Sequence, residues 1–448
     1  MACSVCQNIL MPNTPHSRRN YILSMLILGG LFFIFGLVSW VNTILIPYFK
    51  FTCELSIVQS YLVTFAFYIP YLIMAIPASA LLNKVGYKRG MMIGLWTMAL
   101  GALMFVPAAY FRTYGIFLAG LFSLGIGLAI LQSAANPYIT IIGDRESAAR
   151  RLSIVGTFNK LAGILANLIF AALVLRESDK QLMLSIKNGM YEGAARGAAL
   201  DQLIRGVMGP YAILAAALFI FGLVVRYSVL PEIDTSTHNA ETDSSRQART
   251  SVFHYPNLIL GVVAMFFHIG SQMISLATII DYAVSMGLGF EDPAKNFPSY
   301  VMSLTLAGYL LGVFLIPRTI TQKNALVACT SLGLLLSFLV IFAHGRVCVL
   351  GLDTDISIWF LVMMGLPNAL IYAGIWPLAI NGLGRLTNLG SSMLVMGLCG
   401  SAILPLAYGK LVVLSTPRNA YWVMVPCFAY LVFYAVIGHK IKHWRKTF

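Results

Sequence analysis

Leu131-Gln-Ser-Ala-Ala-Asn-Pro-Tyr-Ile-Thr-Ile-Ile-Gly143 closes a long apolar segment that begins near Gly115. Gln132 and Asn136 are four residues apart, so they share one face of a helix. Pro137 removes a backbone donor and tends to kink the helix that contains it. A polar pair beside a kink, in a segment otherwise suited to lipid, indicates a cavity or a polar interface. A contact that only joins neighbouring helices is the alternative.

Composition places the chain in a membrane. Of its 448 residues, 59% are hydrophobic and only 10% are charged, whereas a soluble domain carries roughly 25% charged residues. This excludes a soluble enzyme with a single membrane anchor. The net charge of +14 would indicate nucleic acid in a soluble protein. Here the basic residues gather in short connections, so we expect a bilayer and no nucleic-acid partner.

The cysteines predict no metal site. Cys3 and Cys6 form one Cys-x-x-Cys, but no second pair or His pair completes a zinc site. The other five cysteines are scattered in apolar surroundings, where cysteine behaves as a small hydrophobe. We therefore expect neither a metal nor a cofactor.

Twelve apolar segments are each long enough to cross the hydrocarbon, which takes about 20 residues. The sequence therefore predicts an all-α membrane protein with twelve transmembrane helices. The predicted spans are Tyr21–Phe49, Ser56–Leu82, Met91–Tyr110, Gly115–Ile142, Leu152–Leu175, Val207–Leu230, Tyr255–Met286, Phe297–Pro317, Ala325–Ala343, Ile356–Gly382, Ser391–Leu414 and Ala420–Gly438.

Charge asymmetry predicts the orientation. An even number of spans puts both termini on one side, which holds 18 of the Lys and Arg residues against 11 on the other. Basic residues favour the cytoplasmic side. We expect a multi-pass protein of the cell (inner) membrane with both termini in the cytoplasm.

A polar linker at 231–253 divides the spans six and six. Two six-helix bundles joined in this way are typical of a two-bundle transporter. The predicted division is a cytoplasmic tail at 1–20, an N-terminal bundle at 21–230, the linker, a C-terminal bundle at 254–438 and a second cytoplasmic tail at 439–448. The long connection at 176–206, predicted to face outward, is assigned no chemistry.

Polar side chains enter the predicted spans at several points, and each needs a partner there. Amides donate and accept hydrogen bonds, and an aromatic ring can pack on the apolar face of a sugar. The set therefore favours a neutral polyol as substrate, although half of its members could be interhelical contacts. The predicted binding residues are Asn42, Gln132, Asn136, Asn159, His268, Gln272, Asn368 and Trp376.

Lys160 lies about eight residues into its predicted span, or ~12 Å along the helix. An intramembrane lysine is costly and pairs, loses its proton or snorkels. We favour a pore-facing or interbundle role because the neighbouring Asn159 is polar too. Lys160 and His268 are the candidates for ion coupling or charge recognition.

Basic and mixed-charge connections on the predicted inner face are candidate gates that close by salt bridges. The predicted gating residues are Lys88, Arg89, Asp144, Arg145 and Arg151. For Lys88 and Arg89 alone, simple topology signalling is the stronger interpretation.

Three stretches resemble the fucose permease and glucose/galactose transporter branch of the major facilitator superfamily. They are Gly30-Leu-Phe-Phe-Ile-Phe-Gly36 with Val41-Asn-Thr-Ile-Leu-Ile-Pro47; Ala134-Ala-Asn-Pro-Tyr138 through Gly143, Arg151-Leu152 and Phe158-Asn159; and Pro377-Leu-Ala-Ile-Asn-Gly-Leu-Gly384 with Gly390-Ser-Ser392. The resemblance implies twelve helices, alternating access and uptake of a hexose or deoxyhexose, often with a coupled ion. It also implies that Asn42, Gln132, Asn136 and Asn159 bind sugar.

The sequence departs from that family at three positions. Thr43, Gln132 and Gln272 stand where proton-coupled relatives look to have acidic residues. Glutamine keeps the shape and hydrogen bonding of glutamate but exchanges no proton. Proton coupling through those carboxylates is therefore not available, which leaves sodium symport, proton symport through His268 or Lys160, or facilitated diffusion.

We predict a monomeric transporter that imports a monosaccharide such as glucose, galactose or fucose by alternating access. Trp40, Tyr372 and Trp376 also permit an amino sugar or a cell-wall sugar fragment. A sugar sensor is a weaker alternative, because the linker at 231–253 and the short C-terminal tail leave little room for a signalling domain. A membrane-embedded enzyme is disfavoured since no nucleophile–base pair, metal set or phosphate loop is found.

Overall fold

The chain is described here by a computed structural model. It describes residues 15–55, 57–142, 145–173, 181–183, 185–186, 188–230, 251–288 and 294–444.

The regular secondary structure of the first half of the described chain is helical. Its α-helices are α1 (Pro15–Thr52), α2 (Ile57–Ile73), α3 (Ala75–Tyr110), α4 (Tyr114–Ile141), α5 (Ala148–Leu173), α6 (Gly193–Arg205) and α7 (Met208–Tyr227). One 3-10 turn, Arg145–Ser147, leads into α5.

The second half contains α8 (Pro256–Ala277), α9 (Ile279–Ser285), α10 (Phe297–Leu315), α11 (Gln322–Phe342), strands β1 (Arg346–Val349) and β2 (Leu352–Asp355), α12 (Ile356–Met363), α13 (Gly365–Ala379), α14 (Thr387–Met396), α15 (Gly400–Leu414) and α16 (Met424–Val436). Short 3-10 turns lie at Val252–His254, Ala294–Asn296, Gly384–Leu386, Gly397–Cys399, Asn419–Val423 and Gly438–Lys440.

Ten helical stretches in the described part of the chain are long and apolar enough to cross a membrane. Helices α2, with 17 residues, and α5, with 26, complete the twelve spans that the sequence predicts. The side of the molecule on which α1 begins is called the terminal side below.

The second and third predicted spans are joined at Gly86, within α3, without a separate loop. Gly86 has non-helical backbone angles, φ +78° and ψ 171°, so α3 consists of two helices that meet at a kink there. Glycine adopts a positive φ readily, whereas other residues do not. Gly86 lies at the start of the basic turn that the sequence predicts between these spans.

Four predicted spans are each built from two shorter pieces, and the second comprises α2 and the start of α3. The seventh is α8 and α9, the tenth is α12 and α13, and the eleventh is α14 and α15 around the turn Gly397–Cys399. Interrupted helices of this kind are common where transporter spans border a binding site. The apolar pattern alone did not predict these breaks.

A β-hairpin on the side opposite the termini was also not predicted. Strands β1 and β2 pair antiparallel, with Arg346 opposite Asp355. Leu350 (φ +53°) and Gly351 (φ +77°) form the turn, and two consecutive positive φ angles match the twist of a two-residue hairpin.

The two bundles meet through a small set of helices. Helix α5 packs on α10 and α13, and α14 packs on α3 and α4. These contacts place the bundle interface, and the space within it, at the centre of the molecule.

Candidate functional site

A cavity of about 170 Å³ lies between the two bundles. Both bundles contribute to its wall, which combines amides, hydroxyls and aromatic rings with aliphatic side chains. The lining residues are Phe32, Phe35, Ser39, Trp40, Tyr68, Tyr71, Gln132, Leu152, Gly156, Asn159, Lys160, Ile269, Gln272, Met273, Tyr309, Tyr372, Leu398 and Ser401.

Three of the predicted binding residues line this cavity through amide side chains. Gln132 donates a hydrogen bond from Nε2 to the Tyr71 hydroxyl at 3.3 Å. Asn159 donates from Nδ2 to the backbone carbonyl of Phe32 at 3.1 Å. Gln272 lines the facing wall on α8. Because a side-chain amide can make up to four hydrogen bonds, Gln132 and Asn159 retain capacity for a ligand.

Lys160 also lines the cavity, although only 8% of the residue is exposed. Its Nζ lies 5.6 Å from the ring centroid of Trp40, a cation–π distance. Trp40 in turn packs against the bare backbone of Gly163, where an added Cβ would come 2.7 Å from the indole Nε1. Gly163 therefore lets the Trp40 ring lie close to α5, beside Lys160.

Four other predicted binding residues lie behind the wall rather than on it. Asn136, His268 and Trp376 are fully buried and Asn368 is 1% exposed. Asn136 donates to the Gln132 carbonyl at 3.0 Å, and the Trp376 ring lies 5.6 Å from that of Tyr372. Their direct contact with substrate stays a prediction.

These buried groups keep unused polar atoms. Both ring nitrogens of His268, both amide atoms of Asn368, the indole Nε1 of Trp376 and Oδ1 of Asn136 have no hydrogen-bond partner within the described residues. Buried polar atoms without hydrogen-bond partners are costly. The layer behind the wall is therefore polar, and part of its hydrogen-bonding capacity is unused.

Several predicted residues fall outside what the structure describes. Asn42 belongs to helix α1, but its side chain is not among those described, and neither is that of Arg145. Asp144, Cys3 and Cys6 lie outside the described residues altogether. Within the part that is described, no group of three or more His, Cys, Asp and Glu side chains could hold a metal ion.

Two of the three remaining gating candidates, Lys88 and Arg151, make contacts inside the N-terminal bundle. Lys88 donates from Nζ to the Ser228 carbonyl at 2.6 Å, linking α3 to the end of α7. Arg151 donates to the carbonyls of Ile139 at 2.8 Å and Thr140 at 3.0 Å, so it caps the C-terminus of α4. Arg89 is exposed. A gating role for the three stays a prediction.

Uncharged contacts join the two bundles on the terminal side. The Asn388 amide donates to the side chain of Asn83, and the Ala149 amide donates to Oε1 of Gln322 at 3.3 Å. Gly156 lies against the Tyr309 ring so closely that a Cβ there would come within 2.4 Å of it. These contacts close the cavity on the terminal side, and the sequence analysis did not identify them.

Tyrosines form the part of the lining that the sequence analysis most clearly missed. Tyr68 and Tyr71 stack at 6.1 Å on α2, and Tyr309 faces them from the C-terminal bundle. Their spacing of three residues puts Tyr68 and Tyr71 on one helix face. Two tyrosines on one face of an otherwise apolar span are a sequence pattern that could have identified this part of the lining.

A family model described as Major Facilitator Superfamily matches residues 28–405. The chain belongs to this superfamily. A solved structure described as the Major Facilitator Superfamily transporter FucP in the outward conformation superposes with a TM-score of 0.79 at 27% sequence identity, covering 93% of this chain and 98% of that one. The predicted fold of twelve helices in two bundles is thereby confirmed.

Curated relatives match over nearly the whole chain. The glucose/galactose transporter of Brucella abortus biovar 1 is 31% identical over 443 residues, which are 98% of this chain and 100% of that protein. The L-fucose-proton symporter of Escherichia coli K12 is 32% identical over 390 residues, 86% of each chain. These relatives confirm the resemblance to the fucose permease branch. Because they are transporters, they also confirm the prediction that the chain is not an enzyme.

Proposed function

We propose that this superfamily member imports a monosaccharide across the cell membrane by alternating access. The observation that carries the proposal is the cavity between the bundles, lined from both sides by amides and aromatic rings and closed on the terminal side by interbundle contacts. A site of this kind reaches the two sides of a membrane in turn when one bundle rocks against the other.

The chemistry of the lining suits a pyranose. Gln132, Asn159 and Gln272 offer donors and acceptors to ring hydroxyls. Trp40 and Tyr372 offer flat faces to the apolar side of the ring. The names of the relatives from Brucella and Escherichia point to glucose, galactose or fucose as the first substrates to test.

For coupling, the relatives support a proton rather than sodium. The Escherichia relative is named a proton symporter, and sodium has no comparable support. Lys160 and His268 are the two candidates for carrying the proton. Of these, Lys160 lines the cavity and His268 lies behind it.

The proposed setting is the inner membrane, with both termini cytoplasmic and bundles at 21–230 and 254–438. The distribution of Lys and Arg supports this orientation. Residues of both bundles of the chain line the cavity, and we propose a monomer as the functional unit. Reporter fusions to each terminus test the orientation, and light scattering in detergent tests the oligomeric state.

Uptake of labelled glucose, galactose and fucose into proteoliposomes tests the proposed transport. We expect saturable uptake of at least one monosaccharide, which an imposed proton gradient drives above equilibrium and a sodium gradient does not. Binding without flux would make the chain a sensor and refute import.

A further inference from the structure

The ionic character of the cavity is set by one residue. Lys160 is the only Lys or Arg among its lining residues, and no acidic residue whose side chain the structure describes lies in that lining. Gln132, Asn159 and Gln272, which also line the cavity, carry no charge. The cavity therefore offers one basic group, the amine of Lys160, among several neutral hydrogen-bonding groups.

Several of the acidic side chains that the structure describes pair with arginine and do not line the cavity. Glu54 and Asp201 form ion pairs with Arg112 on the side opposite the termini, and Asp355 pairs with Arg418 at 2.8 Å on that same side. The titratable side chain on which Lys160 acts electrostatically is His268, which carries no negative charge.

Trp40 stabilises the ammonium only in part. A ring at 5.6 Å supplies a cation–π interaction but accepts no strong hydrogen bond. An ammonium group has three donors, and a buried charge is costly until it is paired and hydrogen-bonded. The counter-ion that fits this position is an anionic group on the ligand.

We propose that the substrate is a sugar acid, a monosaccharide whose carboxylate binds Lys160 while its hydroxyls bind the surrounding amides. The inference rests on the proposed function and narrows its substrate class. Asn159 and Lys160 are adjacent in α5 and both line the cavity, so one turn of helix presents an amide and a cation to the same ligand. A hexuronate has the matching arrangement, because its carboxylate is attached to a ring that carries hydroxyls.

Charge then decides between ligands of the same shape. A neutral hexose leaves the ammonium without a counter-ion, whereas a hexuronate neutralises it by a charge-assisted hydrogen bond, about twice as strong as a neutral one. The loaded site also becomes electrically neutral, which lowers the cost of carrying Lys160 through the occluded state.

The experiment compares glucose, glucuronamide and glucuronate, which share one ring and differ at C6. Binding to the purified full chain is measured by calorimetry, and exchange is measured by counterflow in proteoliposomes, which needs no coupling ion. Galactose, galacturonamide and galacturonate form a second series. We expect the uronate to bind at least about 10-fold more tightly than its amide, given the strength of hydrogen bonds to charged groups.

Variants assign the effect to Lys160. In Lys160→Met we expect the preference for the uronate to disappear, and in Lys160→Arg we expect it to persist. Lys410→Met is the matched control, because it removes a positive charge from an exposed position on α15 outside the cavity lining. Lys410→Met should prefer the uronate over its amide to the same degree as the wild type.

Each outcome is decisive. Equal affinity for uronate and amide in both series, or a preference that survives in Lys160→Met, overturns the sugar-acid proposal. If neutral sugars are nevertheless transported, the proposed monosaccharide import stands. If the reconstituted protein exchanges neither neutral sugars nor uronates, both proposals fail together.

Discussion

Asn388 and Asn83 form a hydrogen bond between the two bundles. Asn388 is buried at the start of α14, and Asn83 lies in α3 just before the Gly86 break. With the Ala149–Gln322 contact, this amide pair marks the terminal side as the closed side of the cavity. Alternating access requires these contacts to break when that side opens.

Replacing Asn388 by alanine should shift the population toward the form that is open on the terminal side. One net hydrogen bond is worth about 0.5–1.5 kcal/mol, so the ratio of the two forms should change about 2- to 10-fold. Spin-label distances between α3 and α14 on that side report the shift. Ser303→Ala serves as the control, since Ser303 bonds within its own helix. Unchanged distances in Asn388→Ala would mean that the amide pair does not hold the closed form.

The contact of α1 with α5 should not tolerate a methyl group at Gly36. An added Cβ there would lie 2.2 Å from the backbone carbonyl oxygen of Asn159, and a backbone atom cannot rotate away. Gly36→Ala must separate the two helices, at a cost of about 1–3 kcal/mol. Thermal unfolding in detergent measures the loss of stability. Gly209→Ala, where an added Cβ meets nothing within 4 Å, should behave like the wild type.

The spans could be predicted because lipid constrains them strongly. Apolar segments of about 20 residues determine the number and position of the spans, and the described helices follow that pattern. The breaks at Thr278 and Met364 and the hairpin of Arg346–Asp355 carry no such signature. They depend on packing between distant segments, which hydropathy does not encode.

The candidate site could be predicted only in part. Helical spacing grouped the polar side chains by helix face, but it could not separate those that line the cavity from those buried behind them. Gln132 lines the cavity, whereas Asn136, on the same face one turn later, is buried and bonds back to the Gln132 carbonyl. That difference depends on how the C-terminal bundle covers α4. A pattern within α4 alone contains no information about it.

Substituting Gln132 by glutamate should make transport depend on pH. Gln132 lines the cavity and donates to the Tyr71 hydroxyl. A carboxyl group there would be neutral at low pH and negative at high pH, so it would change both the hydrogen bonding and the charge beside the substrate. Initial rates of sugar exchange across a pH series measure the effect. Gln202→Glu makes the same change at an exposed position in α6, and its profile should match that of the wild type. An unaltered profile for Gln132→Glu would argue against a place beside the substrate.

The ion pair of Arg418 with Asp355 should stabilise the fold more than the ion pair of Arg346 with Asp353 in the hairpin. Arg418 lies 2.8 Å from Asp355, and the two side chains are only 12% and 20% exposed. Arg418 also donates to the Tyr282 hydroxyl at 3.1 Å and the Ala343 carbonyl at 3.2 Å. Arg418→Ala breaks all of these contacts and should cost about 2–3 kcal/mol. Arg346→Ala removes an ion pair with Asp353 whose side chains are 76% and 60% exposed, and it should cost at most about 1 kcal/mol.

The ion pair of Asp355 with Arg418 should make the stability of the fold depend on pH. Burial raises the pKa of Asp355, but hydrogen bonds from Ser357 and the charge of Arg418 outweigh it and hold the pKa below the ordinary 3.8. A carboxyl with a lowered pKa in the folded state stabilises the fold above its unfolded value and loses that contribution as pH falls through the folded value. The difference in unfolding temperature between wild type and Asp355→Asn should therefore stay constant from about pH 8 to about pH 5 and shrink only under more acidic conditions. A difference that already shrinks between pH 8 and pH 5 would contradict a lowered pKa at Asp355.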